Sequence, residues 1–182
     1  MDKRTEIIAG AARIFEAEGF RGIGIGRVIE PSGVSTRTLY KHFGSRDGLV
    51  LAVLDARHRA FMERLDAQSD GVDPVGSLFD ALRHWIDERG ARGCMLLRAR
   101  SEYAGASEEI VALVQAQKAD FLEAVRRRVR RALGRDDAVL GNQIWLLFEG
   151  ATAAASVTRA AVIDDARSAA LSLLESARGG QR

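Results

Sequence analysis

The stretch that decides the fold is residues 27–46, RVIEPSGVSTRTLYKHFGSR. Its first apolar residues predict a short helix before Gly33, which can supply a turn. Ser35 can then cap a second helix, whose apolar side is formed by Val34 and Leu39. Two short helices joined by a glycine turn are predicted to form a helix-turn-helix.

Charge is distributed unevenly over this stretch. Residues 31–46 contain no acidic residue, and their basic side chains are Arg37, Lys41, His42 and Arg46. Their short hydroxyl side chains are Ser35, Thr36, Thr38 and Ser45. Cationic and hydroxyl groups are the donors that contact phosphates and base edges in duplex DNA. By itself this pattern fits nucleic-acid binding and a solvated basic helix pair about equally well.

Glycine and proline weaken the first helix of the motif. Gly24 and Gly26 would each cost about 1 kcal/mol relative to alanine inside a helix. Pro31 disfavours helical backbone at Glu30. We therefore expect a short helix before the turn.

Helical spacing of apolar residues recurs along the rest of the chain, and no segment alternates as a half-buried strand would. A first helix is expected to end at Gly19, and Ser45 to cap a long helix over 46–68. Later helices are predicted at about 74–90, 93–104, 107–133, 136–159 and 162–178. Residues 69–74 have turn chemistry, and the tail 178–182 is expected to be disordered. The predicted fold is all-α, with about nine helices.

Several of these residues resemble the signature of the TetR/AcrR-type transcriptional regulators. The helix-turn-helix match consists of Gly33-Val34-Ser35, Thr38-Leu39-Tyr40-Lys41-His42-Phe43, Ser45-Arg46-Asp47 and Leu49. The first-helix match consists of Ile7-Ile8, Ala11-Ala12, Phe15 and Gly19-Phe20. The resemblance covers about the first third of the chain. It implies a DNA-binding domain over 1–47, continuing into the long helix, and a ligand-sensing and dimerisation domain over 48–182.

The resemblance also assigns roles within the motif. It implies that the start of the recognition helix faces bases or nearby backbone, and that Tyr40 and His42 contact phosphates. Arg46 stands where the family usually has lysine and would bind a phosphate at a helix N-terminus. The expected DNA-binding residues are Ser35, Thr36, Arg37, Thr38, Tyr40, Lys41, His42 and Arg46.

The implied function is sequence-specific regulation of transcription. The most direct form is a repressor that a small-molecule effector releases from a palindromic operator, with activation left open. Aromatic and methionine side chains after residue 74 are candidates for the effector pocket. They are Trp85, Met95, Tyr103, Phe121, Trp145 and Phe148. Taken singly, each residue favours ordinary core packing, and it is the group as a whole, in a helical effector domain, that predicts a pocket.

A homodimer is expected to form through the last two helices. The predicted interface consists of Leu140, Ile144, Leu147, Ala151, Ala154, Ala166, Ala170 and Leu173, at spacings that suit a packing seam. A second stripe on the same penultimate helix is formed by Trp145, Phe148, Thr152 and Ala155. The pattern leaves open which of the two stripes faces the partner.

Composition excludes little beyond this. The formal net charge is +2, and a single cysteine, Cys94, allows no intramolecular disulfide. Three scattered histidines predict no metal site, and no catalytic spacing predicts an enzyme or a cofactor. We expect no signal peptide, no membrane span and a cytoplasmic location. Two rival classes are a helical-bundle enzyme and a DNA-binding structural protein without an effector.

Charged residues outside the motif are expected to lie on helix surfaces. Glu102, Glu108 and Glu109 have the spacing of exposed carboxylates. The arginine run over 126–131 is expected to be a solvated face at a helix C-terminus, where the helix dipole favours cations.

Overall fold

The computed structural model describes residues 2–67 and 73–179 of the chain. Within these ranges the secondary structure is helical, with no strand. The helices are α1 (Lys3–Glu18), α2 (Ile25–Ile29), a 3₁₀ turn (Glu30–Ser32), α3 (Thr36–Phe43), α4 (Arg46–Ala67), α5 (Gly76–Arg89), α6 (Met95–Tyr103), α7 (Glu108–Leu133), α8 (Ala138–Ala155) and α9 (Val162–Gly179). The all-α prediction is confirmed. Of the predicted turn and tail, residues 69–72 and 180–182 lie outside the described residues.

Local signals place the ends of the first helices. Gly19 ends α1 with a φ of 90°, which glycine adopts at no steric cost. The Ser45 hydroxyl accepts the Gly48 backbone N–H at 2.9 Å, so the predicted cap of α4 is confirmed. The helix before the turn is short, as expected, because α2 ends at Ile29 and Pro31 lies in the 3₁₀ turn.

The chain folds into two compact units. The N-terminal unit comprises Met1–Ala60 and Met95–Gln117, and the C-terminal unit comprises Phe61–Cys94 and Lys118–Arg182. The N-terminal unit therefore contains α6 and the first part of α7 as well as the helix-turn-helix. The division into two domains at residue 47 stays a prediction.

The core of the N-terminal unit is built around α1. Ile7 and Phe15 are buried on one face of this helix, and the Phe15 ring stacks on Phe20 at 4.9 Å between centroids. Glu16 pairs with Arg57 of α4 at 2.6 Å. These contacts fix α1 against α4.

Glu102 of α6, which is half-buried, also contacts this part of the N-terminal unit. Its carboxylate accepts the backbone N–H groups of Phe20 at 2.8 Å and Arg21 at 2.9 Å. The expectation that Glu102 lies on a free helix surface was therefore wrong. The reason is that the connection after α1 presents unpaired backbone donors to α6, and a carboxylate is a strong acceptor for them.

The core of the C-terminal unit contains a cluster of aromatic rings. The Phe148 ring lies 4.7 Å from Phe121, 5.8 Å from Phe61 and 6.0 Å from Phe79, measured between centroids. Trp85 packs edge-on against Phe61 at 5.2 Å. α8 and α9 contribute further buried residues to the same core.

The arginine run on α7 departs from the expected solvated face at Arg128. This side chain is buried, and its guanidinium donates to the Leu65 carbonyl in the last turn of α4 at 2.6 Å. Burial lowers the pKa of Arg128. The expectation holds for Arg127, which is exposed. Arg128 is buried because it lies on the same face of α7 as Phe121 and Val125 and satisfies a helix-end carbonyl there.

Among the described helices, none combines the length and apolarity needed to cross a bilayer.

Candidate nucleic-acid interface

The recognition helix α3 presents one apolar and one polar side. Leu39 is fully buried and anchors the helix in the N-terminal unit. Arg37, Lys41 and His42 are exposed, and Tyr40 is 43% exposed despite its ring. The polar side of the helix therefore exposes two cationic side chains, an imidazole ring and a phenol hydroxyl.

The first turn of α3 is fixed by its cap. The Ser35 hydroxyl accepts the Thr38 backbone N–H at 3.2 Å, so this predicted cap is confirmed. The Ser35 and Thr38 hydroxyls also lie 3.0 Å apart. Gly33 has a φ of 62°, which lets the chain turn into the cap. Thr36 is half-buried. The hydroxyls of Ser35 and Thr38 are thus partly engaged with each other, whereas Arg37 extends beyond them.

The cationic groups of α3 are available, whereas the arginine of α2 is not. In the described part of the chain, Arg37, Lys41 and His42 form no ion pair. Arg27 is held by the carboxylates of Glu18 and Glu30, whose hydrogen bonds raise its pKa. Of these two helices, α3 rather than α2 therefore presents unpaired basic side chains.

Arg46 is half-buried, and its side chain is engaged within the N-terminal unit. Its guanidinium donates to the Phe20 carbonyl and lies 5.9 Å from the centroid of the Phe15 ring. Burial is the main cause that raises the pKa of nearby Tyr103, and the Arg46 guanidinium partly opposes this shift. The long arginine side chain reaches the connection after α1, so part of its donor capacity is used within the unit. A phosphate contact by Arg46 stays a prediction.

The start of α4 approaches the end of α3 very closely. A Cβ atom at Gly48 would lie 2.1 Å from the Phe43 carbonyl oxygen. Only glycine fits between these two backbones. The orientation of α3 therefore depends on a residue without a side chain in the first turn of α4.

The predicted pocket residues separate into two groups. Trp85, Phe121 and Phe148 lie in the aromatic core of the C-terminal unit, and Trp145 packs against it. Met95 and Tyr103 belong to the N-terminal unit, where Tyr103 lies edge-on to Phe20. Met95 and Tyr103 are the first and last residues of α6, and this helix belongs to the same unit as the helix-turn-helix.

The predicted dimer residues lie mostly inside the chain's own C-terminal core. The buried ones are Leu140, Ile144, Ala151 and Ala170, and the half-buried ones are Leu147, Ala154, Ala166 and Leu173. The second stripe is likewise buried at Phe148 and Ala155 and half-buried at Trp145 and Thr152. The exposed apolar face of α8 is a third one.

This third face, the open stripe, consists of Val139, Leu146, Gly150 and Ala153, followed by Val157 just beyond the helix. Val139 and Leu146 are 68% and 60% exposed. The sequence analysis did not identify this stripe. Its signal was present in the seven-residue spacing of two large apolar side chains.

Comparison with known proteins agrees with the fold and the motif. Residues 7–53 match the family described as bacterial regulatory proteins, tetR family. The crystal structure of a TetR-family transcriptional regulator from Streptomyces coelicolor superposes with a TM-score of 0.88. It is 27% identical, and the match covers 97% of this chain and 96% of that one. The N-terminal part of the chain thus matches the tetR family, and the whole chain is similar in fold to a TetR-family regulator.

Curated members of the TetR family match over shorter stretches. The regulator TtgR of Pseudomonas putida is 32% identical over 89 residues, which are 48% of this chain and 42% of TtgR. The repressor AcnR of Corynebacterium efficiens is 33% identical over 92 residues, which are 49% of this chain and 48% of AcnR. The matched part thus spans less than half of these two relatives. In the described residues, no cluster of His, Cys, Asp or Glu could hold a metal ion.

Proposed function

We propose that this chain is a sequence-specific DNA-binding transcriptional regulator. The observation that carries the proposal is the exposed surface of α3, where Arg37, Lys41 and His42 lie free of carboxylate partners. A cationic surface of this kind releases counterions when it binds duplex phosphates. The relatives are named as transcriptional regulators, and AcnR as a repressor. Repression is therefore the form of regulation that we propose.

The regulator acts as a homodimer on a palindromic operator. Two copies of α3 would enter successive major grooves about 34 Å apart. The open stripe of α8 supports this part of the proposal, because large apolar side chains that are exposed in one copy gain from burial against another. On α9, Ala169 is exposed and Leu173 is half-buried, so this helix offers a small apolar surface as well.

The effector is a small, mostly apolar molecule bound by the C-terminal unit. The aromatic cluster around Phe148 supplies apolar surface, and two tryptophans lie in or against this core. The Trp145 indole N–H is buried without a hydrogen-bond partner among the described residues. A buried indole donor normally finds a partner, so an acceptor atom on the effector would complement it. A molecule that binds the DNA-free state more tightly shifts the population away from the operator.

The proposal is tested by selecting genomic fragments with the purified protein. We expect enrichment of palindromic duplexes whose affinity falls steeply as salt rises. The matched control is the same selection with Arg37→Ala, which should recover fewer specific sites. A well-folded protein that enriches no duplex would overturn the proposal.

The regulatory part is tested by titrating candidate effectors with and without operator, following tryptophan fluorescence. Reciprocity requires that an effector which weakens operator binding is itself bound more weakly when operator is present. A set of bound compounds that all show equal affinity in the two titrations would favour a DNA-binding protein without effector control.

A further inference from the structure

Arg4 lies beside the recognition helix although it belongs to the first turn of α1. Its guanidinium carbon is 5.3 Å from the centroid of the Phe43 ring, in the last turn of α3. This distance is within the range of a cation–π interaction. Arg4 is exposed, so one side of its guanidinium faces a ring and its edges remain open to solvent.

The charges around Arg4 leave it without a direct partner. Lys3 pairs with Glu6 at 2.6 Å, and the Asp2 carboxylate accepts the Thr5 backbone N–H at 2.9 Å as the cap of α1. The pKa of Asp2 is lowered mainly by its hydrogen bond from the Thr5 backbone, and the nearby Arg4 charge lowers it slightly further. It forms no ion pair within residues 2–67 and 73–179. Its charge is therefore available to an outside anion.

We propose that Arg4 is a further DNA-binding residue, which contacts a backbone phosphate at the C-terminal end of α3. This inference rests on the proposed function. A planar guanidinium can stack on an aromatic ring while its N–H edge donates two hydrogen bonds to a phosphate. The Phe43 ring thus orients the Arg4 fork without using the donors that a phosphate needs.

A phosphate fits this position better than a base edge. Recognition helices of this motif read bases with residues near their N-termini, whereas Phe43 lies in the last turn of α3. Lys41 and His42 are exposed in the same turn. Arg4 extends this basic end onto α1, so the DNA-binding surface includes two elements rather than one.

The test measures the salt dependence of operator affinity in the parent and in Arg4→Ala. Because the dimer carries two copies of Arg4, loss of both phosphate contacts should reduce the slope of log affinity against log salt by about 1.8. Between 50 and 200 mM salt, the variant should then lose roughly twelvefold less affinity than the parent. The weakening at low salt should be similar for operator and unrelated duplexes.

Arg13→Ala is the matched control. Arg13 is also exposed on α1, nine residues later, which places it about half a turn around the helix from Arg4. Its removal changes the net charge equally and should leave the slope unchanged. Arg4→Lys should keep the slope and lose part of the affinity, because lysine is a point charge without a fork. Thermal unfolding of each variant checks that α1 remains folded.

The outcomes separate this inference from the proposed function. If the parent binds operator and Arg4→Ala keeps the parent's slope, the Arg4 contact is overturned while the function stands. Equal slope losses in Arg4→Ala and Arg13→Ala would also overturn it, since only net charge would then matter. A parent that selects no duplex would overturn the proposed function, and this inference with it.

Discussion

The Glu102 carboxylate accepts the backbone N–H of Phe20 at 2.8 Å, although 82 residues separate the two along the chain. The same oxygen accepts the N–H of Arg21. In return, the Arg21 guanidinium donates to the Glu102 carbonyl and lies 5.8 Å from the centroid of the Tyr103 ring. The connection between α1 and α2 is thus held by α6 rather than by residues near it in sequence.

We expect Glu102→Gln to loosen this connection. A neutral amide accepts more weakly than a carboxylate, at a cost of about 1 kcal/mol. Hydrogen exchange at the Phe20 and Arg21 amides should accelerate roughly fivefold, which corresponds to that free energy. Glu108→Gln, at an exposed position, is the control. Unchanged exchange at both amides in Glu102→Gln would contradict the assignment.

Gly48→Ala should destabilise the N-terminal unit. The added Cβ would lie 2.1 Å from the Phe43 carbonyl oxygen, so backbone must move. Overpacking of this kind costs about 1–3 kcal/mol. Gly26→Ala is the control, because a Cβ there meets nothing within 4 Å. In helix α2, alanine should instead stabilise by about 0.5–1 kcal/mol. Urea unfolding of both variants checks this difference in sign.

Arg128→Met should destabilise the C-terminal unit. The change leaves the Leu65 carbonyl without its buried donor, at a cost of about 1–3 kcal/mol. Methionine keeps much of the volume and apolar contact of the arginine stem. Arg127→Met changes the same charge at an exposed neighbour and should shift the unfolding midpoint little. Equal midpoints for the two variants would show that the Leu65 contact contributes nothing.

Leu146→Glu should produce a folded monomer. Leu146 is 60% exposed in the single chain, so a charge there is tolerated by the fold but not in an apolar dimer interface. Sedimentation should report half the parent mass, circular dichroism should be unchanged, and tight operator binding should be lost. Ala119→Glu, on the exposed face of α7, should leave the mass unaltered. A Leu146→Glu dimer as stable as the parent would exclude the open stripe.

Tyr40→Phe and Arg37→Ala should affect DNA binding in two different ways. Removing the exposed phenol hydroxyl is expected to weaken binding to all duplexes by a similar factor, because a phosphate carries no sequence information. Arg37→Ala should change the preferred base at one position by about 1–3 kcal/mol if the side chain reaches a base edge. Competition binding against single-base operator variants distinguishes the two. A Tyr40→Phe protein with altered base preference would reverse the assigned roles.

Local signals were enough to predict most of the helices. Ser35 and Ser45 cap the helices that follow them, and Gly33 has the positive φ that its turn requires. Each of these effects involves residues within one helical turn. The exposed basic side of α3 was predictable for the same reason, since its side chains and buried Leu39 lie on one short helix.

Contacts between distant residues were not predictable in this way. No local pattern distinguishes Glu102 from its exposed neighbours, because its partners are backbone groups that any residue possesses. Arg128 lies within a run of arginines, and only the packing of α7 decides which member is buried. On α8, apolar residues occupy more than one face, so spacing alone could not assign a face to the core.

The N-terminal unit is assembled from two separated stretches of chain, and this affects how its specificity could be transplanted. A chimaeric regulator that borrowed only the residues up to Ala60 would leave the Phe20 amide without its acceptor and the Phe20 ring without Tyr103. Recombination at one peptide bond would thus separate the helix-turn-helix from the segment of the same unit that stabilises it. An exchange that carries Met95–Gln117 as well, through two further splices, would preserve both.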